Sequence, residues 1–212
     1  LKDIYGNNYG DSFEDIAKAM ATINQQMGDM DQSSLQSLTK SAFTLRDTFG
    51  YDIEETVSAA NAMMTQFGIS GDEAMNLIAA GAQNGLDYSG EMLDSISEYS
   101  SQFAKAGLDA NDMFAIMQSG AETGAGSLDK VGEAVKELVT NVVDGSDTTK
   151  AGFEAIGLNA DEMSNKFAQG GDAAREAFNQ TVQALASMED PLAQNQAALN
   201  LFGTQFEDLG PN

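Results

Sequence analysis

The sequence predicts an all-α fold: a compact array of many short antiparallel helices joined by glycine-capped turns, with no β-sheet. Three observations carry this expectation. The 212 residues include only two prolines, and Ala, Met, Leu, Glu and Gln, all good helix formers, are abundant. Apolar residues recur at steps of three and four, the period of one helix face. Glycines punctuate the chain, with Gly50, Gly68, Gly85, Gly107, Gly126 and Gly145 separated by 18, 17, 22, 19 and 19 residues. Once a few turn residues are removed, these intervals leave helices of ordinary globular length.

Taken in chain order, residues 1–10 carry no stripe and read as an irregular or disordered start. Asp11 with Glu14 gives the first helix-start signal and opens a helical lobe expected over 11–144. Within it Ile53, Val57, Ala60 and Met64 share one face, as do Met92, Ile96, Tyr99 and Phe103. The cleanest stripe is Leu128, Val131, Val135, Leu138 and Val142, with Asp129, Lys130, Glu133, Lys136 and Glu137 on the opposite, solvent-facing side. "VVDGSDTT" (142–149) is the loosest stretch and the candidate boundary to a smaller helical lobe over 147–209, either separate or packed with the first as one domain. There Phe178, Val182, Leu185 and Met188 repeat the helical pattern. "PLAQNQAALNLFG" (191–203) reads as an amphipathic helix with Leu192, Leu199 and Phe202 inward. The glycine spacing is too irregular for a solenoid repeat.

One phrase recurs: "FGYDIEET" (49–56), "FGISGDEAM" (67–75), "AGLDANDMF" (106–114) and "IGLNADEMS" (156–164). Its glycine sits where a helix must end in a left-handed conformation, and the hydrophobic residue after it can fold back on the last turn. A capping residue follows, with an acid three positions later to complete a capping box. The structural joints so defined are Gly50, Asp52 and Glu55; Gly68, Ser70 and Glu73; Gly107, Asp109 and Asp112; and Gly157, Asn159 and Glu162. Asp190 before Pro191 starts the last helix, and Gly203 ends it. Each cap contributes about 1 kcal/mol, so the phrase is a way of turning a corner.

Composition narrows the chemistry. There is no histidine and no cysteine, which removes most catalytic triads, most zinc sites, disulfides and thiol chemistry. Ten basic residues stand against 33 acidic ones, a net charge of −23, with no basic run that could follow a phosphate backbone. The acidic "DMDQSSLQSLTK" (29–40) fails as a calcium loop, because Ser34 and Lys40 occupy the glycine and bidentate-glutamate positions. "GAETGAGSLDK" (120–130) matches no phosphate-binding pattern. Paired carboxylates, Glu54/Glu55, Glu133/Glu137 and Asp144/Asp147, lie on expected solvent faces where a raised pKa is hard to obtain. No stretch approaches the roughly 20 apolar residues of a membrane span. No catalytic, cofactor-binding or metal residue is assigned, and no cofactor, enzyme activity or nucleic-acid binding is expected. The chain, from Leu1 to Pro211-Asn212, reads as a piece of a longer protein.

"FGISGDEAMNLIAAGAQNG", "KAGLDANDMFAIMQSGAETG", "LDKVGEAVKELVTNVVDGS" and the closing "AALNLFGTQFEDLG" occur in an order that resembles the tail tape-measure (minor tail) proteins of long-tailed phages and prophages, over residues 31–209. The resemblance implies a structural virion protein that sets tail length. In that family an extended helical molecule occupies the tail-tube lumen, the tube polymerises around it, and it leaves when DNA is ejected. Implied partners are tail tube subunits, tail assembly chaperones and tail-tip proteins, with self-association allowed. The implied locations are the virion tail lumen and, during assembly, the host bacterial cytoplasm. One departure stands out, since joints every 17 to 22 residues would break a continuous rod, so a compact helical region is expected in place of the ruler itself. The strong acidity fits a molecule that must not adhere to DNA sharing its tube. Two further readings stand beside this one: a helical scaffold or interaction module of another assembly, and a carboxylate-only cell-wall hydrolase.

Overall fold

A computed structural model describes residues 2–209, with side chains through Phe206. It is all-α as the sequence predicts, with twelve α-helices, a closing 3-10 helix and no strand among the described residues. In order these are α1 (Lys2–Gly6), α2 (Phe13–Met27), α3 (Gln32–Phe49), α4 (Ile53–Phe67), α5 (Gly71–Gln83) and α6 (Met92–Lys105). There follow α7 (Ala110–Thr123), α8 (Leu128–Asp144), α9 (Asp147–Ala155), α10 (Ala160–Gln169), α11 (Gly171–Ala186), α12 (Pro191–Phe202) and the 3-10 helix η1 (Thr204–Leu209). The chain forms two compact units, Leu1–Glu98 and Tyr99–Asn212, and the division falls inside α6. The loose stretch at Gly145 lies within the second unit.

In the first unit α2 packs on α3 and α4, while α5 packs on α3 and α4. Ile16, Ala19 and Phe43 are buried together, with Ile4 of α1 completing the cluster. Residues 2–6, which show no stripe, are thus drawn into one short helical turn by a single fully buried isoleucine. Along α4 the buried positions are Thr56, Val57, Ala59, Ala60 and Met63, and Met64 of the expected stripe is only half-buried.

In the second unit α8 is the central element, contacted by α7, α10, α12 and η1. All five positions of its predicted stripe, Leu128, Val131, Val135, Leu138 and Val142, are buried, because a clean 3.6-residue period leaves one geometry for burial. Two other expected faces are corrected. Val182 is 42% exposed while Thr181 beside it is fully buried with its hydroxyl on the Ala177 carbonyl. Leu192 is 81% exposed rather than inward and Leu199 is half-buried, while Phe202 is buried as expected, joined by Ala197, Ala198 and Leu201. The first helix-start signal is also displaced by one residue. Ser12, not Asp11, caps α2 by accepting from the Asp15 N–H, and the Asp15 carboxylate accepts in return from the Asp11 N–H.

Candidate functional site

The residues that the sequence singles out are helix termini, and the structure builds them in two ways. At Gly50 and Gly68 the backbone is left-handed (φ 79° and 70°), and a single bond runs from the glycine N–H to the carbonyl four residues back, Arg46 and Met64. At Gly107 and Gly157 the glycine N–H reaches three residues back, to Ala104 and Glu154, and the next residue reaches five back: Leu108 to Phe103 and Leu158 to Phe153. That double bond is the Schellman arrangement, which satisfies two terminal carbonyls instead of one. After Gly107 the following side chain is also in the core, with Leu108 6% exposed, whereas Leu158, Tyr51 and Ile69 after the other joints are half-buried. Gly203 ends α12 with φ 73° and its N–H on the Leu199 carbonyl.

The next helix then starts on its cap. Ser70 accepts from the Glu73 N–H at 3.2 Å while the Glu73 carboxylate accepts from the Ser70 N–H at 2.8 Å, a closed capping box. The Ser70 N–H and then the Ser70 hydroxyl hold the Glu73 carboxyl below its ordinary value. Asp109 and Asp112 close a second box on α7. Asp52 accepts from the Glu54 and Glu55 N–H groups, and Asn159 from Glu162, each without the reciprocal bond. Asp190 caps α12 with Pro191 as first helical residue. Asp31, the first acid of the calcium-like pattern to find a role, caps α3. It accepts from the N–H and hydroxyl of both Ser33 and Ser34, and the Ser33 hydroxyl leads in holding its carboxyl far below the ordinary range.

One joint is clasped from a distance. Arg175 of α11 donates to the Gly107 carbonyl at 3.2 Å, to Asp109 at 2.7 Å and to Asp112. The guanidinium therefore binds both acids of the capping box and the glycine before it, a fork-like arrangement suited to arginine. The Asp112 N–H and then Arg175 keep Asp109 below its ordinary value although partial burial acts the other way. At Gly107 only glycine fits. Its φ is +76°, and a Cβ would stand 2.2 Å from the Gly171 carbonyl oxygen and 2.4 Å from the Arg175 nitrogen.

A second cluster adds a partner to the expected polar face of α8, where Asp129 is exposed and Glu133 and Lys136 are half-buried. Tyr99, 2% exposed, donates its hydroxyl to Asp129 at 2.6 Å and Glu133 at 3.3 Å. Glu133 also pairs with Lys136 at 2.9 Å. Asp129 and Glu133 are thus partners of a buried phenol, which needs an acceptor once removed from water. The ring lies against Gly132, where a Cβ would stand 2.1 Å from Tyr99 Cδ2. Sequence reasoning missed Arg175 and Gly132. A glycine inside an otherwise strong helix pattern signals close backbone approach, whereas nothing local marks Arg175.

Among the described residues no group of three or more Asp and Glu side chains is placed to hold a metal ion. No helix among them is long and apolar enough to cross a membrane.

Comparison with known proteins agrees with a structural reading. The family model described as phage-related minor tail protein matches residues 4–203. A relative in Streptomyces phage phiC31, described as a probable tape measure protein, is 32% identical over 169 residues. That alignment covers 79% of this chain and 23% of the relative, so the chain spans about a quarter of the relative's length. No solved structure matches.

Two expectations follow from these sites. Gly132→Ala lowers unfolding free energy by about 1–3 kcal/mol through overpacking against Tyr99. In a Tyr99→Ala background the same change is neutral or stabilising, because alanine is the better helix former. Chemical denaturation of the four chains measures this, and equal costs in both backgrounds would contradict it. The depressed carboxyl of Asp31 stabilises the fold above the ordinary Asp range near pH ~4, and that contribution is lost as pH falls through the lower folded-state value. Asparagine caps but does not titrate, so the melting-temperature gap between wild type and Asp31→Asn holds from pH ~7 to ~4 and narrows below. A gap independent of pH would contradict it.

Proposed function

From the premise that the chain belongs to the phage-related minor tail protein family, and so to the structural proteins of phage tails, we propose that it is a compact helical segment of a tape-measure protein. The observation that carries this reading is the 32% identity to a probable tape measure protein across 79% of the chain. The role follows from geometry. A helix rises about 1.5 Å per residue, so a helical chain converts residue number into tube length. Tube subunits polymerising around such a molecule stop when its length is covered, and the molecule departs when DNA passes. It acts in the tail lumen after assembling in the host cytoplasm. Tube subunits, assembly chaperones and tail-tip proteins are its partners, copies of itself can be its neighbours, and it catalyses no reaction.

Within that molecule this stretch is folded back and is not the measuring rod. The glycine joints support this, since each terminates its helix with the carbonyls satisfied locally and begins the next on a separate cap. A structural role also accords with the absence of histidine and cysteine.

The test is tail length. In-frame removal of about 30 residues of continuous helix from the reading frame that encodes this chain shortens tails by about 45 Å, measured by electron microscopy of assembled particles. Tails of unchanged length would overturn the ruler role.

A further inference from the structure

The second unit carries an apolar groove that the described side chains leave unfilled. α7 and α11 start together at the Arg175 clasp, where Asp109 and Asp112 of one meet Arg175 of the other. From there α7 packs on α8, and α11 packs on α12. Between their later turns lies a groove of about 360 Å³, bounded by Ile116 of α7, Val131 and Val135 of α8, Phe178 and Val182 of α11, and Phe202 of α12. Among the described residues no charged side chain lines it. Val182 is 42% exposed although apolar, as expected of a wall residue facing an empty slot.

Charge selects the occupant. Residues 99–212 hold 17 acidic side chains against 6 basic ones, a net of −11. Among those bases Lys136 pairs with Glu133, Lys166 with Glu162 and Glu176, and Arg175 with Asp109 and Asp112. Lys130, next to the wall residue Val131, points its Nζ toward the turn at Gly126. Exposed acids stand in sequence beside the walls, Glu122 next to Thr123 and Glu189 three residues past Ala186. An apolar slot in an acidic surface fits a helix with one apolar face and flanking cations. We propose that the groove between α7 and α11 is a docking site for a cationic amphipathic helix of a partner protein. The apolar face of that helix enters between Ile116 and Val182, and its lysines or arginines meet the surrounding acids. The proposal rests on groove and charge alone and stands whether or not the chain measures tail length.

The experiment uses the full chain and a fluorescein-labelled helical peptide of about 18 residues, five turns, with leucine on one face and lysine on the other. Binding is read by fluorescence anisotropy. The expected result is saturable binding that is lost with a second peptide carrying glutamate in place of lysine. Val182→Arg blocks the slot and weakens binding about tenfold or more, the loss of one central apolar anchor. Leu192→Arg makes the same charge change at a site outside the groove, 81% exposed, and leaves affinity within about twofold. Both substitutions are at exposed positions, and circular dichroism verifies folding. Equal weakening by the two variants would reduce the binding to surface charge and overturn the proposal. Equal affinity for the glutamate peptide would overturn it too. So would a concentration-dependent dimer in analytical ultracentrifugation that Val182→Arg abolishes, since a second copy would then own the groove.

Discussion

Each helix terminus leaves backbone N–H and C=O groups with no partner inside the helix, and a chain of twelve short helices repeats that deficit at every turn. The fold depends on how these groups are satisfied. At Gly68 a left-handed glycine returns one N–H to Met64, and two residues later Ser70 and Glu73 exchange hydrogen bonds to begin α5. At Gly107 the Schellman pair satisfies two carbonyls and brings Leu108 into the core, so the turn itself becomes packing. Termination, reversal and initiation are completed within about six residues, which lets helices of 13 to 18 residues succeed one another. Apolar stripes supply most of the burial, but the joints decide where each stripe points.

This dependence explains what the sequence discloses. Caps use groups no more than a few positions apart, so Ser70 with Glu73 and Asp109 with Asp112 can be read directly. Even there, adjacent capping residues compete, and α2 starts on Ser12 with Asp15 one step beyond the expected pair. The stripe of α8 is readable because it is regular. That of α12 is not, because Leu192, Ala193, Ala197, Ala198, Leu199, Leu201 and Phe202 surround most of the helix and leave the inward side to tertiary contacts. Arg175 lies 66 residues from Asp109, and no local signal records a partnership at that distance. The partner of the α8 acids is hidden from the sequence for a related reason. Asp129 and Glu133 occupy a polar face, yet their partner is a tyrosine 30 and 34 residues earlier, admitted by the missing side chain of Gly132.

On the proposed tape-measure reading, the consequence is a division of labour within one polypeptide. Continuous helix would do the measuring, because its length is proportional to residue number. A segment broken by left-handed glycines gives up that proportionality and gains a surface. Where α7 and α11 part beyond the Arg175 clasp, that surface is concave and apolar within an acidic unit. Folded-back stretches provide shapes that a bare rod does not.

The central claim is that this stretch folds back on itself at its glycine joints. The absence of native cysteine allows two dyes to be placed without background. Ser37 and Asp72 are hydrogen-bonded at 2.8 Å across α3 and α5, although 35 residues of continuous helix would separate them by about 52 Å. Energy transfer between dyes on Ser37→Cys and Asp72→Cys in the purified chain reports the distance directly. The account predicts near-complete transfer, with the two positions adjacent. A separation near the helical-rod value would contradict it.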